Sequence, residues 1–266
     1  MQLWAKWLMC LEKPLASTGH KKNMMKSIFS SVFILLLAAC GGPYQLAKHT
    51  DNNIKIITDS LQLYDTAIAN IIAPYKQKLD KQMNEVIGEA EETLTKALPD
   101  GSLGNLVADA CIDYARTNTT QTVDFCVLNT GGIRIPAIQK GPIMIGKIYE
   151  LMPFDNMIDV VELDGESCIE LFLWIAKWKG APVSGITLTL NNGVASDVKI
   201  NGVAFDFTKT YRVATTDYMV NGGDGATMLA NGKRNSLNYK IRDAIIDYVK
   251  LKQTIKANNN GRIIQN

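Results

Sequence analysis

The chain has 266 residues, of which 47% are hydrophobic and 20% charged, a composition that is typical of a folded globular protein and excludes bulk disorder. Five Lys and one Glu precede Cys40, so the formal charge of +2 for the whole chain becomes −2 for the rest, which carries 23 basic and 25 acidic residues. Because that part is nearly neutral and has no basic block, we expect it not to bind nucleic acid.

The N-terminal segment has the features of a secretory signal in the usual order. A basic start with Lys21, Lys22 and Lys26 is followed by an apolar run over residues 28–39, too short to span a bilayer comfortably. The run ends in Leu37-Ala38-Ala39-Cys40-Gly41, which resembles the lipobox of bacterial lipoproteins, where the Cys is acylated and becomes the mature N-terminus. The alternative is a buried Cys at the end of an apolar helix.

These features divide the chain into three parts. Residues 1–39 are predicted to be an upstream extension and a lipoprotein signal peptide, residues 40–59 a lipidated tether, and residues 60–266 the folded domain. Acylation of Cys40 would anchor the protein to a membrane of the bacterial cell envelope, on its periplasmic or surface face, without spanning the membrane.

The first elements of the predicted domain are two helices with a strand between them. Apolar residues at helical spacing predict an amphipathic helix over Leu61–Lys81, broken or kinked at Pro74. A strand is predicted over Glu85–Leu94. Ser102, which ends a Pro-Asp-Gly-Ser turn, is a candidate cap for a helix over Leu103–Arg116.

The rest of the chain is predicted to be rich in strands. These are Val123–Leu128, Met157–Leu163, Val183–Leu190, Val198–Ile200 and Tyr211–Thr216. Asn192-Gly193 and Asn201-Gly202 are typical hairpin turns. Helices are predicted from Asp164 to Trp178 and over Asn238–Lys252. The expected fold is therefore one mixed α/β (α+β) domain with a mixed sheet and flanking helices.

Three cysteines lie in the predicted domain: Cys111, Cys126 and Cys168. Their spacing fits no metal site. Cys111 and Cys126 have apolar neighbours, which favours buried free thiols. One disulfide with one spare thiol is the alternative in an oxidising compartment.

The first segment with chemical potential is Asn129-Thr130-Gly131-Gly132-Ile133-Arg134, which follows a predicted strand. The paired glycines, Gly131 and Gly132, allow positive φ and the close approach of a ligand. The guanidinium of Arg134 could bind a ribose oxygen or a phosphate. A tight turn with a solvated Arg explains the segment equally well.

Two further loops carry aromatic residues. Phe154, after Pro153, could stack on a nucleobase whose edge is bound by Asn156, although a Phe that fills the core is the alternative. Tyr218 offers a second aromatic face. In the same segment Asp224, among Gly222, Gly223 and Gly225, could bind vicinal ribose hydroxyls. The competing interpretation of that Gly-Asp-Gly segment is a calcium turn, but the ligand spacing of a calcium loop is missing.

Read together and in this order, the segments resemble the C-terminal, substrate-binding domain of 5′-nucleotidases, over roughly residue 70 to the end. The motifs that carry the resemblance are Leu103-Gly104-Asn105-Leu106-Val107-Ala108-Asp109-Ala110, Asn129-Thr130-Gly131-Gly132-Ile133-Arg134, Pro153-Phe154-Asp155-Asn156, Thr210-Tyr211-Arg212-Val213-Ala214-Thr215 and Gly222-Gly223-Asp224-Gly225. Each motif is weak alone, but the ordered set is specific.

The resemblance implies a role for each of five residues. Phe154 and Tyr218 would form an aromatic clamp around the base, Asn156 would contact the base edge, and Arg134 and Asp224 would hold the sugar and its neighbouring groups. Asn129 and the glycines of the two loops would shape the site. The expected ligand is a nucleoside or a nucleoside 5′-monophosphate.

The sequence departs from the family pattern at several places. Tyr218 stands where the family usually has Phe, which stacking tolerates. Asp155 replaces a small Gly, which places a carboxylate beside the presumed base and leaves substrate preference open. Residues 89–102 contain no Arg before the Leu-Gly-Asn-Leu helix, so contacts to ribose or phosphate are expected to be fewer.

Catalytic groups are scarce, because the two histidines, His20 and His49, both precede the predicted domain. The family's metallophosphatase domain, with its Asp-x-His and Asn-His motifs, is not expected in this sequence. We therefore expect no cofactor in this chain, with divalent metals in a separate metallophosphatase subunit, and no activity alone. The alternative is a non-catalytic lipoprotein that binds nucleosides or nucleotides.

Overall fold

The computed structural model describes residues 66–258 and 261–266. The predicted signal peptide, the lipidation site Cys40 and the tether over residues 40–59 lie outside the described residues, and so does the start of the first predicted helix. Among the helices that are described, none combines the length and the apolar character needed to cross a membrane.

The described chain contains helices separated by groups of one to five strands. The helices are α1 (Thr66–Met83), α2 (Ser102–Thr117), α3 (Ile145–Leu151), α4 (Gly165–Lys177), α5 (Asp217–Val220) and α6 (Ile241–Lys252). The strands are β1 (Val86–Ala90), β2 (Leu94–Thr95), β3 (Phe125–Val127), β4 (Ala137–Ile138), β5 (Gly141–Met144), β6 (Met157–Leu163), β7 (Val183–Ser184), β8 (Ile186–Asn191), β9 (Val194–Ile200), β10 (Val203–Ala204), β11 (Tyr211–Thr216), β12 (Lys233–Lys240), β13 (Thr254–Ile255) and β14 (Ile263–Gln265). Turns of 3₁₀ helix cover Thr130–Gly132, Gly223–Gly225 and Thr227–Asn231.

A five-stranded mixed sheet, in the order β12-β6-β11-β3-β7, forms the centre of the fold. β11 and β3 run parallel, whereas the other neighbours in this sheet are antiparallel. The remaining strands form smaller sheets, in the orders β10-β9-β8-β14, β13-β1-β5 and β2-β4. The predicted mixed α/β architecture is therefore confirmed.

The central sheet separates two hydrophobic cores, because successive side chains of a strand point to opposite faces. Cys126 of β3 belongs to the core that also contains buried side chains of α2 and α6. Its neighbours Phe125 and Val127 belong to the other core, with side chains of α4. The sheet is thus covered by helices on both faces.

The predicted first helix is present as α1, which continues through Pro74 as a single helix rather than breaking there. No residue of the described part of this helix is buried, although the spacing of its apolar residues predicts an amphipathic helix. Ile71, Tyr75 and Leu79, for example, are exposed. Helical spacing thus predicted the helix correctly, but none of its described apolar residues is buried in a core.

Two predicted boundaries are also wrong. Gly101, not Ser102, is the N-cap of α2, and the Ser102 hydroxyl instead accepts a hydrogen bond from the backbone N–H of Thr95 at 2.9 Å. The predicted strand Val183–Leu190 is divided at Gly185, whose φ of +76° ends β7 in the central sheet and starts β8 in another.

The closing helix begins at Ile241 rather than at Asn238, because residues Lys233–Lys240 form β12. This strand lies at the edge of the central sheet and is largely exposed, so its sequence lacks the apolar alternation of a half-buried strand. Asn238 has a φ of +51° and lies where the pairing of β12 with β6 shifts register.

The three cysteines of the domain are free and buried, as the preferred interpretation predicted. Burial raises the pKa of the Cys168 thiol to about 12 and raises that of Cys126 well above its usual value. Because the thiolate is the reactive form, a folded variant in which Cys10 and Cys40 are replaced by Ser should not react with Ellman's reagent at pH ~8. Three thiols should react after denaturation. Rapid reaction of any thiol in the folded variant would contradict this burial.

Candidate functional site

Three loops meet at one end of the strands of the central sheet. β3 and β11 are parallel neighbours and both terminate at this end, and β6, which is antiparallel to β11, begins there. The carboxyl ends of neighbouring parallel strands are a common location for ligand sites. The three loops are residues 129–134 after β3, residues 152–156 before β6, and residues 217–225, which continue from β11 through α5.

The loop after β3 is a tight turn in which Gly132 is the more closely packed of the two glycines. Gly132 N–H donates to the carbonyl of Asn129 at 3.2 Å, which closes the turn. A Cβ on Gly132 would lie 3.3 Å from Asn129 Oδ1, and one on Gly131 would lie 3.4 Å from Asn129 Nδ2. The turn brings Arg134 to the rim, where its Nη1 donates to the Gly131 carbonyl at 3.1 Å.

The second loop presents Phe154, which is 45% exposed and is therefore not the core-filling side chain of the alternative interpretation. The Arg134 guanidinium lies 5.6 Å from the centroid of the Phe154 ring, within the range of a cation–π contact. The aromatic ring and the cation thus form one side of the site.

The Asp155 carboxylate, which is expected from the sequence beside the presumed base, does not line the cavity described below. Its oxygens are bound by Lys240 Nζ at 2.9 Å and Arg242 Nη2 at 2.5 Å. Hydrogen bonds from Lys240 and Arg242, in that order, lower the pKa of the Asp155 carboxyl. The carboxylate is therefore engaged by the start of α6.

The third loop folds back so that Asp224 approaches Tyr218. Gly222, Asp224 and Gly225 all have positive φ, of +86°, +52° and +75°. Gly223 lies flat against the Tyr218 ring, since a Cβ there would be 2.4 Å from Tyr218 Cε1. A side chain at position 223 would displace the ring, which explains the glycine.

Both carboxylate oxygens of Asp224 accept a hydrogen bond from the protein. Asn129 Nδ2 donates to Oδ2 at 2.7 Å and the Tyr218 hydroxyl donates to Oδ1 at 3.0 Å. The Asp224 carbonyl accepts from the indole N–H groups of Trp174 at 2.9 Å and Trp178 at 3.2 Å. A carboxylate has about four lone-pair directions, so further donors can still bind it.

Sequence reasoning missed the contribution of both tryptophans. The signal that could have found them is their spacing, because residues four apart lie on the same side of a helix. Trp178 is the C-cap of α4, and its ring centroid lies 6.3 Å from that of Trp174.

These contacts enclose a cavity of about 300 Å³, at the lower end of the range for small-molecule sites, roughly 300–1,000 Å³. Its lining consists of Asn129, Gly131, Gly132, Arg134, Phe154, Asn156, Tyr218 and Asp224. All five predicted ligand-binding residues therefore lie around one cavity. Gly222, Gly223 and Gly225 shape the third loop without lining the cavity, whereas Asn129, predicted to shape its loop, also lines it.

The cavity offers two aromatic rings, one carboxylate, one guanidinium and two side-chain amides. These groups suit a ligand with a flat aromatic part and several hydroxyls. Within residues 66–258 and 261–266, no three His, Cys, Asp or Glu side chains are grouped as a metal site would require.

The contact between Tyr218 and Asp224 can be tested by titration. The hydrogen bond to the carboxylate, followed by burial, raises the pKa of Tyr218 above 10.0. Removing the carboxylate in Asp224→Ala should therefore lower this pKa toward the ordinary value. The phenolate absorbance of Tyr218 is obtained as the difference from a matched Tyr218→Phe variant, and an unchanged pKa would contradict the contact.

Comparison with known proteins places this geometry in a family. The family model described as 5′-nucleotidase, C-terminal domain matches residues 86–231, more than half of the chain. The chain is 28% identical over 220 residues to an apyrase of Tabanus yao, covering 71% of this chain and 39% of that protein. It is 26% identical over 215 residues to a 5′-nucleotidase of Vibrio vulnificus, covering 75% of this chain and 37% of that protein.

A solved structure gives the same result. The crystal structure of a 5′-nucleotidase precursor from Thermus thermophilus aligns with a TM-score of 0.65 and 29% identity, over 76% of this chain and 43% of that chain. The chain thus spans about two fifths of the length of these proteins. The matched region contains all three loops of the cavity, and the chain belongs to the 5′-nucleotidase family, to whose C-terminal domain residues 86–231 correspond.

Proposed function

We propose that this chain is the nucleoside- or nucleotide-recognition half of a 5′-nucleotidase-type phosphohydrolase, and that it works with a separately encoded metallophosphatase chain. The observation that carries the proposal is that five predicted residues lie around the same cavity: Arg134, Phe154, Asn156, Tyr218 and Asp224. Family membership supports a nucleotide as the class of ligand.

Each side chain around the cavity has a role that fits its chemistry. Phe154 and Tyr218 stack on the base, and Asn156 binds the base edge with its amide. Asp224 accepts hydrogen bonds from the ribose hydroxyls, since Asn129 and Tyr218 already orient its carboxylate. Arg134, at the exposed rim, binds oxygens of the sugar or of the phosphate.

Hydrolysis requires groups of another kind. Without a catalyst, phosphate monoesters are hydrolysed extremely slowly. In many phosphatases, paired metal ions lower the activation barrier by activating water and holding the phosphate. In the proposed arrangement the partner chain holds the metals. This chain supplies binding energy remote from the phosphate, which accelerates the reaction if it is realised in the transition state.

The proposal includes a location at the bacterial cell envelope. The lipobox-like sequence around Cys40 supports acylation and membrane anchoring, with residues 40–59 as a tether on the periplasmic or surface face. Mass spectrometry of the protein isolated from its own cells tests this directly. A diacyl or triacyl mass on an N-terminal Cys40 supports the anchor, and an unmodified Cys40 contradicts it.

Reconstitution tests the proposed division of labour. Phosphate release from adenosine 5′-monophosphate is measured with this protein, with an exported metallophosphatase chain encoded nearby, and with both. We expect no release by this protein alone and a faster reaction of the partner when wild-type protein, but not Phe154→Ala, is added. Unchanged activity of the partner would contradict the split enzyme, and nucleoside binding without such a gain would favour the non-catalytic binding lipoprotein.

A further inference from the structure

The Phe154 loop, defined as Met152–Asn156, carries two residues of the cavity, and its first residue, Met152, is buried in the core, whereas Pro153, Phe154 and Asp155 are exposed. Phe154 is 45% exposed, so contacts with the core do not set the position of its ring. A ring that stacks on a base needs a fixed position, because a displaced binding group loses much of its effect. Beyond Met152, the position of the loop therefore depends on contacts made by its backbone and by Asp155.

Arg242, in the first turn of α6, makes three of those contacts. The residue is only 6% exposed. Its Nη1 donates to the carbonyls of Met152 at 3.2 Å and Phe154 at 3.4 Å, and its Nη2 donates to Asp155 Oδ1 at 2.5 Å. The guanidinium thus binds three of the five residues of the loop.

The neighbours of Arg242 reinforce this attachment. The backbone N–H of Ile241 donates to the carbonyl of Asn156 at 3.0 Å, and Lys240 Nζ donates to the other oxygen of Asp155 at 2.9 Å. Tyr149 covers the guanidinium, with its ring centroid 4.2 Å from Arg242 Cζ. The stacked guanidinium can therefore move little without losing several contacts.

The charge of Arg242 explains why its partner in the loop is the carboxylate of Asp155. A buried guanidinium needs an opposite charge or several acceptors, and here the carboxylate comes from the loop itself. Asp155 is exposed on its outer side, with 63% of the side chain accessible. The loop and α6 are consequently linked by an ion pair whose Arg242 side is buried and whose Asp155 side is exposed to solvent.

We propose that Arg242 is a positioning residue for base recognition: together with Asp155 it fixes the Phe154 loop so that the Phe154 ring faces the cavity. The proposal rests on the proposed function, since it presumes that Phe154 stacks on a base. Arg242 itself does not line the cavity and acts through Phe154. Removing Arg242 should therefore matter less once the Phe154 ring has been removed.

Hydrogen exchange tests the attachment without any ligand. The amides of Met157, which donates to Asp217 Oδ1, and of Ile241, which donates to Asn156, report on the two sides of the loop. We expect Arg242→Met to accelerate exchange of both amides by about tenfold or more, through local opening. Asp155→Ala, which removes the carboxylate of the loop and leaves Arg242 in place, should do the same if the Arg242 variant fails to fold. Unchanged exchange in the folded variants would overturn the proposal.

A double-mutant cycle with adenosine tests the action through Phe154. Arg242→Met should weaken binding about tenfold in the wild-type background and less than about twofold in a Phe154→Leu background, because residues that act together give non-additive effects. Arg262→Met is the matched control, since Arg262 is also buried but binds Asp109 and Val183, which do not line the cavity. It should change neither loop exchange nor affinity.

The outcomes separate the two proposals. Equal losses of affinity in both backgrounds would overturn the positioning role while leaving nucleoside binding intact. If the wild-type protein binds no nucleoside, the proposed function fails, and the exchange rates alone decide whether Arg242 holds the loop.

Discussion

Phe154→Ala should weaken nucleoside binding by roughly 5- to 150-fold, because stacking of an aromatic side chain on a base contributes about 1–3 kcal/mol. The exposed ring makes few contacts that the fold itself needs, so we expect little change in thermal stability. Titration calorimetry with adenosine measures the affinity. A loss of this size with an intact fold would identify Phe154 as part of the base site.

The matched control for this substitution is Phe207→Ala. Phe207 is likewise exposed, at 57%, and does not line the cavity, so its removal should leave the affinity unchanged. Tyr218→Phe retains the ring and should also bind the base, whereas Tyr218→Ala should weaken binding. Equal affinities of wild type and Phe154→Ala would show that the base lies elsewhere.

Asp224→Ala should reduce affinity for adenosine by roughly 10- to 150-fold. Hydrogen bonds to a charged group each contribute about 1.5–3 kcal/mol, and the substitution also deprives Asn129 Nδ2 and the Tyr218 hydroxyl of their acceptor. The backbone change adds to this, because Ala tolerates the φ of +52° less well than Asp does. Asp224→Asn, which keeps an acceptor but not the charge, should have a smaller effect.

A ligand without ribose hydroxyls identifies the origin of the loss. The affinity for 2′,3′-dideoxyadenosine should start lower than that for adenosine and should fall much less in Asp224→Ala. If both ligands lose affinity equally, Asp224 acts on the shape of the loop and does not bind the sugar.

The sequence was sufficient to identify the residues of the cavity. Glycine pairs, an isolated Arg and an aromatic residue after Pro153 have no role in regular structure, and they stand out for that reason. The sequence does not reveal the strand pairing that brings these loops together. The site exists because β3 and β11 are parallel neighbours and β6 runs against β11, and strand order is a long-range property that residue patterns do not specify.

The residues that support the site are harder to find from the sequence. β12 is an exposed edge strand without apolar alternation, so residue patterns predict a helix over its last residues and miss the contacts of Lys240 and Arg242. Asp155 lies between Phe154 and Asn156, two predicted ligand-binding residues, which is why its carboxylate is expected beside the base. Only the position of α6 determines that this carboxylate binds Arg242 instead.

Recognition of a nucleoside through one cavity can be measured without any partner. The experiment is a calorimetric titration of the purified protein with adenosine and with adenosine 5′-monophosphate. We predict saturable binding of one ligand per chain, abolished in the Phe154→Ala/Tyr218→Ala double variant. The absence of binding to these and to the other common nucleosides and nucleoside 5′-monophosphates would contradict such recognition.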